Sequence, residues 1–183
     1  MADLNPGIVE DSLWDDLCVI PPAGVNPIGG LSPATVITDA AGYLGCLQFD
    51  AIGETATVVF QLPHKYMIGT DIHPHIHVVR NDATDNTGNV EFEANFRVLP
   101  LRGDAFAWSG MSDGSVTLQP ADGAGKTGII GWSLSNATYN FGISDCIIMV
   151  ITRKATTTGS IALSSADVHG QIGQLGSRTE GAL

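Results

Sequence analysis

The sequence predicts an antiparallel β-sandwich or jelly roll with an extended N-terminal arm, and three observations carry that expectation. The chain is rich in Gly, Thr, Ser, Val and Ile and only 15% charged, a balance that favours strands over helical bundles. Val90, Phe92, Ala94, Phe96 and Val98 alternate with Glu91, Glu93, Asn95 and Arg97, the period of a strand with one dry and one wet face. Seven to nine short strand signals recur between turn residues, with no long helical pattern and no repeat of 20–50 residues. With 183 residues the chain suits a single domain that can bury a core without disulfides or a metal.

Residues 1–33 form the predicted arm. Asp11 to Leu17 have the composition of one helical turn, capped by Asp11 or Ser12. Pro21, Pro22, Pro27, Gly29, Gly30 and Pro33 then oppose any regular element. Trp14 and Leu17 give the arm apolar side chains with which to dock, on its own domain or on a neighbour. The sandwich domain is expected over 34–183, with strands at 34–38, 45–50, 55–62, 72–80, 89–99, 114–119, 129–134, 143–153 and 160–172. The continuous apolar run from Cys146 to Ile151 suits a central strand covered on both faces. Polar, Gly-rich loops at 81–88 and 103–113 are expected at the ends of the sandwich.

Eight Lys plus Arg against nineteen Asp plus Glu leave a net charge of −11. Such a surface repels phosphate, so neither nucleic acid nor an anionic membrane is an expected partner. No apolar run approaches the roughly 18 residues of a spanning helix. Residues 1–16 lack the basic and apolar blocks of a signal peptide, and Cys18, Cys46 and Cys146 show no CxxC spacing. Free thiols and synthesis in a reducing cytoplasm are the expectation.

The most unusual local feature is Asp71-Ile72-His73-Pro74-His75-Ile76-His77. On a strand, His73, His75 and His77 share one face, their Cβ atoms about 6–7 Å apart, close enough for a transition metal. His64 and His169 are candidate further ligands. Three readings stand: structural or interface histidines, a metal site, or a catalytic one. Gly69-x5-His75-x-His77 echoes the first cupin metal motif, but Asn81 or Asp82 stands where that motif has Glu, and its second half is missing.

Other chemistry-bearing patterns are weaker. Gly123 to Thr127 lacks the spacing of a phosphate loop, since Pro120 stands at the first glycine and a strand follows. Asp82, Asp85, Asn86 and Asn89 offer oxygen ligands without the EF-hand spacing. Asn136-Ala137-Thr138 is a formal glycosylation acceptor without a secretory context. No GxSxG elbow is present. Trp108, Trp132 and Tyr139 suit either a sugar-binding patch or the core.

Phe60-Gln61-Leu62-Pro63-His64-Lys65-Tyr66, Gly69 and the run Asp71 to His77 resemble a motif of uncharacterised bacteriophage and prophage virion proteins. Asp167-Val168-His169 and the following Gly-Ser-Arg at 176–178 are similar to the C-terminal pattern of that family, with Gly170 in place of a usual aromatic. Val78 stands where a Trp is common. The resemblance implies a virion structural protein with a β-sandwich fold. Small size, acidity and an arm further suit a capsid cement, or decoration, protein on the virion surface. Its partners would be the major capsid protein and copies of itself, as a dimer or trimer. In that reading Trp14 and Leu17 dock, and His73, His75 and His77 line an oligomer contact. No enzymatic activity is expected, and no cofactor except a transition metal at the histidine row. A tail, baseplate or fibre component binding host-surface glycan is the alternative, and a cupin-like metal enzyme the remote one.

Overall fold

The protein, here a computed structural model, is described over residues 14–20, 26–28, 46–80, 89–117, 127–154 and 161–173. Ten strands run through these residues: β1 (Trp14–Ile20), β2 (Asn26–Ile28), β3 (Leu47–Phe49), β4 (Thr55–Gln61), β5 (Ile72–Arg80), β6 (Asn89–Leu99), β7 (Met111–Thr117), β8 (Thr127–Gly131), β9 (Cys146–Arg153) and β10 (Ile161–Gln171). One short helix, α1 (Asn136–Tyr139), begins at Ser135, whose hydroxyl accepts from the Ala137 amide, and ends at Asn140 in the left-handed conformation.

The strands form two five-stranded antiparallel sheets. In the first, β10 is the hub: β5 pairs along one edge, while β1 and β3 share the other, and β8 lies outside β5. The second has the order β2-β4-β9-β6-β7. The predicted β-sandwich is therefore the fold. The strands expected at 72–80 and 89–99 have those bounds, and six other expected segments each overlap an observed strand. The expected strand at 34–38 and the expected loop at 81–88 lie outside the described residues.

The inner faces follow directly from the period-two pattern. Ala56, Val58 and Phe60 of β4, Phe92, Ala94 and Phe96 of β6, and Ile147, Met149 and Ile151 of β9 are all buried. They face Ile72, Ile76 and Val78 of β5 and Ala166 and Val168 of β10 in one continuous core. Phe49 meets Phe92 edge to face at 5.0 Å, and Phe96 meets Trp132 at 6.1 Å. Trp132 also donates its indole N–H to the Ser112 carbonyl at 3.0 Å, so its burial leaves no polar group unpaired. The apolar β9 is central, as expected, but its second face is only half-buried rather than covered.

The N-terminal segment departs from expectation. The helical turn predicted at Asp11 to Leu17 is, from Trp14 onward, a strand antiparallel to β10. A bulge between Asp16 and Cys18 lets Leu17 turn into the core. Leu17 fits because Gly170 leaves it room: a Cβ there would stand 2.5 Å from Leu17 Cδ1. Pro27 does not prevent β2 from pairing with β4, because β2 is an edge strand. Over residues 14–20 and 26–28 the predicted arm is thus part of the sandwich, and Leu17 is buried on its own domain rather than presented to a neighbour. Trp14 pairs with Gln171 through its backbone, and its side chain lies outside the description.

Candidate functional site

The outer face of the first sheet carries the densest group of titratable side chains described. Alternation along β5 turns Ile72, Ile76 and Val78 inward and leaves His73, His75 and His77 outward, as predicted. Register then brings β10 alongside. His75 lies opposite Asp167, and His73 opposite His169. Asp16 of β1 lies opposite His169 on the far edge of β10. Three strands therefore build one polar row, and Gly131 of β8 stands opposite His75 at its edge.

That row is unusually dry at its centre. His75 and Asp167 are each only 5% exposed, although they lie on an outer face. The His75 Nε2 contacts Asp167 Oδ1, and His77 Nε2 stands 3.1 Å from Asp167 Oδ2. His169 Nε2 lies 2.5 Å from Asp16 Oδ1, and the His169 ring meets the His75 ring edge to face at 4.3 Å. The His75 Nδ1 faces the His73 carbonyl at 3.4 Å. Burial disfavours the charged His75 ring, but the Asp167 carboxylate against it outweighs that cost, so its pKa is raised.

The structure redraws the predicted donor set. His73 turns its Nδ1 to the Ser133 hydroxyl at 2.9 Å rather than toward a shared point with His75 and His77. Among the described residues, the three-residue group whose ligand atoms all lie within 4.8 Å of one another is His75, Asp167 and His169. His75 alone survives from the predicted triple of His73, His75 and His77. The reason is geometric: the His73 ring is turned to Ser133, whereas Asp167 stands directly across the strand gap from His75. His64, a candidate further ligand, is exposed and outside this group. The chain's own neighbours cover His75, so it is not free to line an oligomer contact. His73 and His77 remain partly accessible. Asp167 was missed as a site residue, although its i, i+2 spacing to His169 is the same signal that marked β5.

Beside the row lies an open groove of about 330 Å³, lined by His73, His75, Ile129, Gly131, Ser133 and His169 among others. It exists because Gly131 contributes no side chain across from His75. Val19 of β1 and Ile129 of β8 flank the row from opposite sides, each 57% exposed.

The other sequence candidates are distributed differently. Trp132 and Tyr139 are buried in the core, whereas Trp108 is exposed on the second sheet with Arg97 over its ring at 5.8 Å. The oxygen-rich residues Asp82, Asp85 and Asn86 and the glycine run at 123–126 lie outside the described residues. Cys18, Cys46 and Cys146 are free thiols. Burial, then the charge of Asp167, pushes the Cys18 thiol up to about 11. No helix among the described residues is long and apolar enough to cross a membrane.

No family model matches the chain, and no curated protein matches it either. Among solved structures it is similar to the CBM22-1 xylan-binding domain of Paenibacillus barcinonensis Xyn10C, with 9% identity and a TM-score of 0.48 over 88% of this chain and 98% of that one. A CBM36-1 domain of a multidomain xylanase from the hindgut metagenome of Trinervitermes trinervoides is similar at 9% identity and TM-score 0.44, covering 86% and 98%. The tailspike protein 4 enzymatically active domain of bacteriophage CBA120 is similar at 12% identity and TM-score 0.40, over 88% of this chain but 20% of that one.

Proposed function

We propose that the protein is a phage virion structural protein of the capsid cement type, binding the major capsid protein on the assembled head. The observation that supports this reading most is the outer strip of the first sheet. Val19, the histidine–aspartate row and Ile129 lie side by side across paired strands, giving a rigid surface with apolar edges and a polar centre. Such a surface suits docking on a protein lattice, where the bound body bridges neighbouring subunits. Binding only the assembled state stabilises that state by mass action against internal pressure. The resemblance of the two histidine motifs to virion proteins points the same way.

The deciding experiment is to locate labelled protein on purified virions and to measure its binding to heads that lack it. Density on the head lattice, lost when Val19→Asp and Ile129→Asp are combined in a chain with unchanged circular dichroism, is the expected result. Density at the tail would overturn the cement assignment. The tail or fibre reading is favoured by one specific feature. Trp108 is 43% exposed and lines a hollow of about 90 Å³ with Glu93, Asn95 and Thr152, an aromatic and polar combination that suits a sugar ring. Glycan binding lost on Trp108→Ala would support that alternative.

A further inference from the structure

The molecule holds two buried carboxylates on its described surface rim, and they are treated very differently. Asp145 is 4% exposed, and both of its oxygens are satisfied: Oδ1 accepts from the Leu101 amide at 2.8 Å, and Oδ2 from the Gly142 amide at 2.7 Å. It is a loop anchor. Asp167 is equally buried, yet its Oδ1 has no hydrogen-bond partner apart from the close approach of His75 Nε2, with which it forms no well-shaped hydrogen bond. A buried carboxylate oxygen without a donor is costly, so something cationic belongs beside it.

The His75 ring states the same requirement from the other side. With its Nδ1 toward the His73 carbonyl, that nitrogen carries the proton in the neutral ring and Nε2 presents a lone pair. A lone pair facing a carboxylate repels unless a proton or a metal cation lies between them. His169 adds a second imidazole, and its ring is fixed by Asp16, the kind of outer carboxylate that orients ligating histidines. Two imidazoles and one carboxylate, with ligand atoms all within 4.8 Å, match the donor preferences of zinc and its first-row neighbours rather than those of calcium or magnesium.

We propose that His75, Asp167 and His169 bind one divalent transition-metal ion, with the groove beside His169 leaving coordination positions for water. The site staples β5 to β10, strands whose donors are about ninety residues apart in sequence, and so ties metal loading to closure of the first sheet. It also gives the two motifs that mark the sequence, Pro74-His75-Ile76-His77 and Asp167-Val168-His169, a shared physical task.

The full chain, stripped with EDTA and dialysed, is titrated with ZnCl2 by calorimetry and with CoCl2 by visible absorption. One ion per chain, visible Co2+ bands and a thermal midpoint that rises with Zn2+ are expected. His169→Gln, at the exposed edge of the site, and Asp167→Asn should each weaken Zn2+ binding by at least the roughly 10- to 100-fold that loss of even an outer partner costs. His73→Gln should leave it unchanged, and excess Mg2+ should not compete. Absence of stoichiometric binding overturns the proposal, as does binding that survives His169→Gln or falls equally in His73→Gln. Should Asp167→Asn fail to fold, the exposed His169→Gln variant decides.

Discussion

β5 and β6 are built on the same alternating plan and diverge on one side only. Their inner residues, Ile72, Ile76 and Val78 in one and Phe92, Ala94 and Phe96 in the other, are buried to within 1%. Outward, β6 presents Glu91, Glu93, Asn95 and Arg97, which remain half-buried and use long side chains, as in the 2.8 Å pair of Glu93 with Lys154. Outward on β5, short imidazoles meet a short carboxylate across the strand gap, and His75 and Asp167 lose nearly all contact with water. Alternation therefore decides which side a residue takes. What stands on the next strand decides whether that side is wet.

The sharpest test of the shared inner face is a pair of truncations. Phe92→Ala should cost about 3–5 kcal/mol and Ile76→Ala about 2–5 kcal/mol in urea unfolding, through lost burial and an unfilled cavity. If Ile76→Ala costs under about 1 kcal/mol while Phe92→Ala costs its expected amount, the two inner faces are not equivalent. Gly170→Ala probes the same interior from β10: it forces a methyl group against Leu17 and should cost about 1–3 kcal/mol by overpacking.

The outer faces should then separate. Asp167→Asn in metal-free protein is expected to cost about 1–3 kcal/mol, because a buried ring loses the carboxylate that compensates it. Glu93→Gln, in a pair whose lysine is well exposed, should have a much smaller effect. Equal losses would erase the distinction between the strands.

The pH dependence of that loss has a defined sign. The His75 pKa is raised in the folded chain, so the fold binds its proton more tightly than the unfolded chain does. The groups facing it are Asp167 and His169 on β10, His73 and His77 on β5 and Asp16 on β1. Its contribution is complete below the ordinary value of 6.5 and is lost as pH rises through the raised one. With chelator present, urea midpoints should fall across that window, and Asp167→Asn should flatten the fall. The smallest expected effect is chemical. Cys18, with its thiol pushed to about 11, should react with iodoacetamide more slowly at mildly alkaline pH than the same cysteine in unfolded chain.

Much of this was legible in the sequence because β-strands write their orientation locally. The bounds of β5 and β6, the shared face of the three histidines and the central position of β9 all follow from spacing alone. The N-terminal segment was misread for an equally local reason. Asp11 to Leu17 have the composition and capping residue of a helical turn, but Leu17 reaches the core through a bulge and packs against Gly170, more than 150 positions away. The metal-capable group was half legible. His75 and the Asp167–His169 spacing were each visible, but the register that sets them side by side belongs to the paired strands and not to either one.

β10 also sets the order in which the molecule can be assembled. All five strands of the second sheet precede residue 154, so that sheet is encoded entire ahead of β10. Among the described residues, until 161–171 are made β1 and β3 have no neighbour in the first sheet and β5 has only β8. The phenylalanine-rich inner face of the second sheet depends on that last strand for much of its cover, and the long-range pairing that supplies it is the slow kind. A stop or frameshift just upstream of Ile161 would therefore remove far more than one strand: it would leave a half-closed, sticky intermediate that chaperones and proteases should recognise.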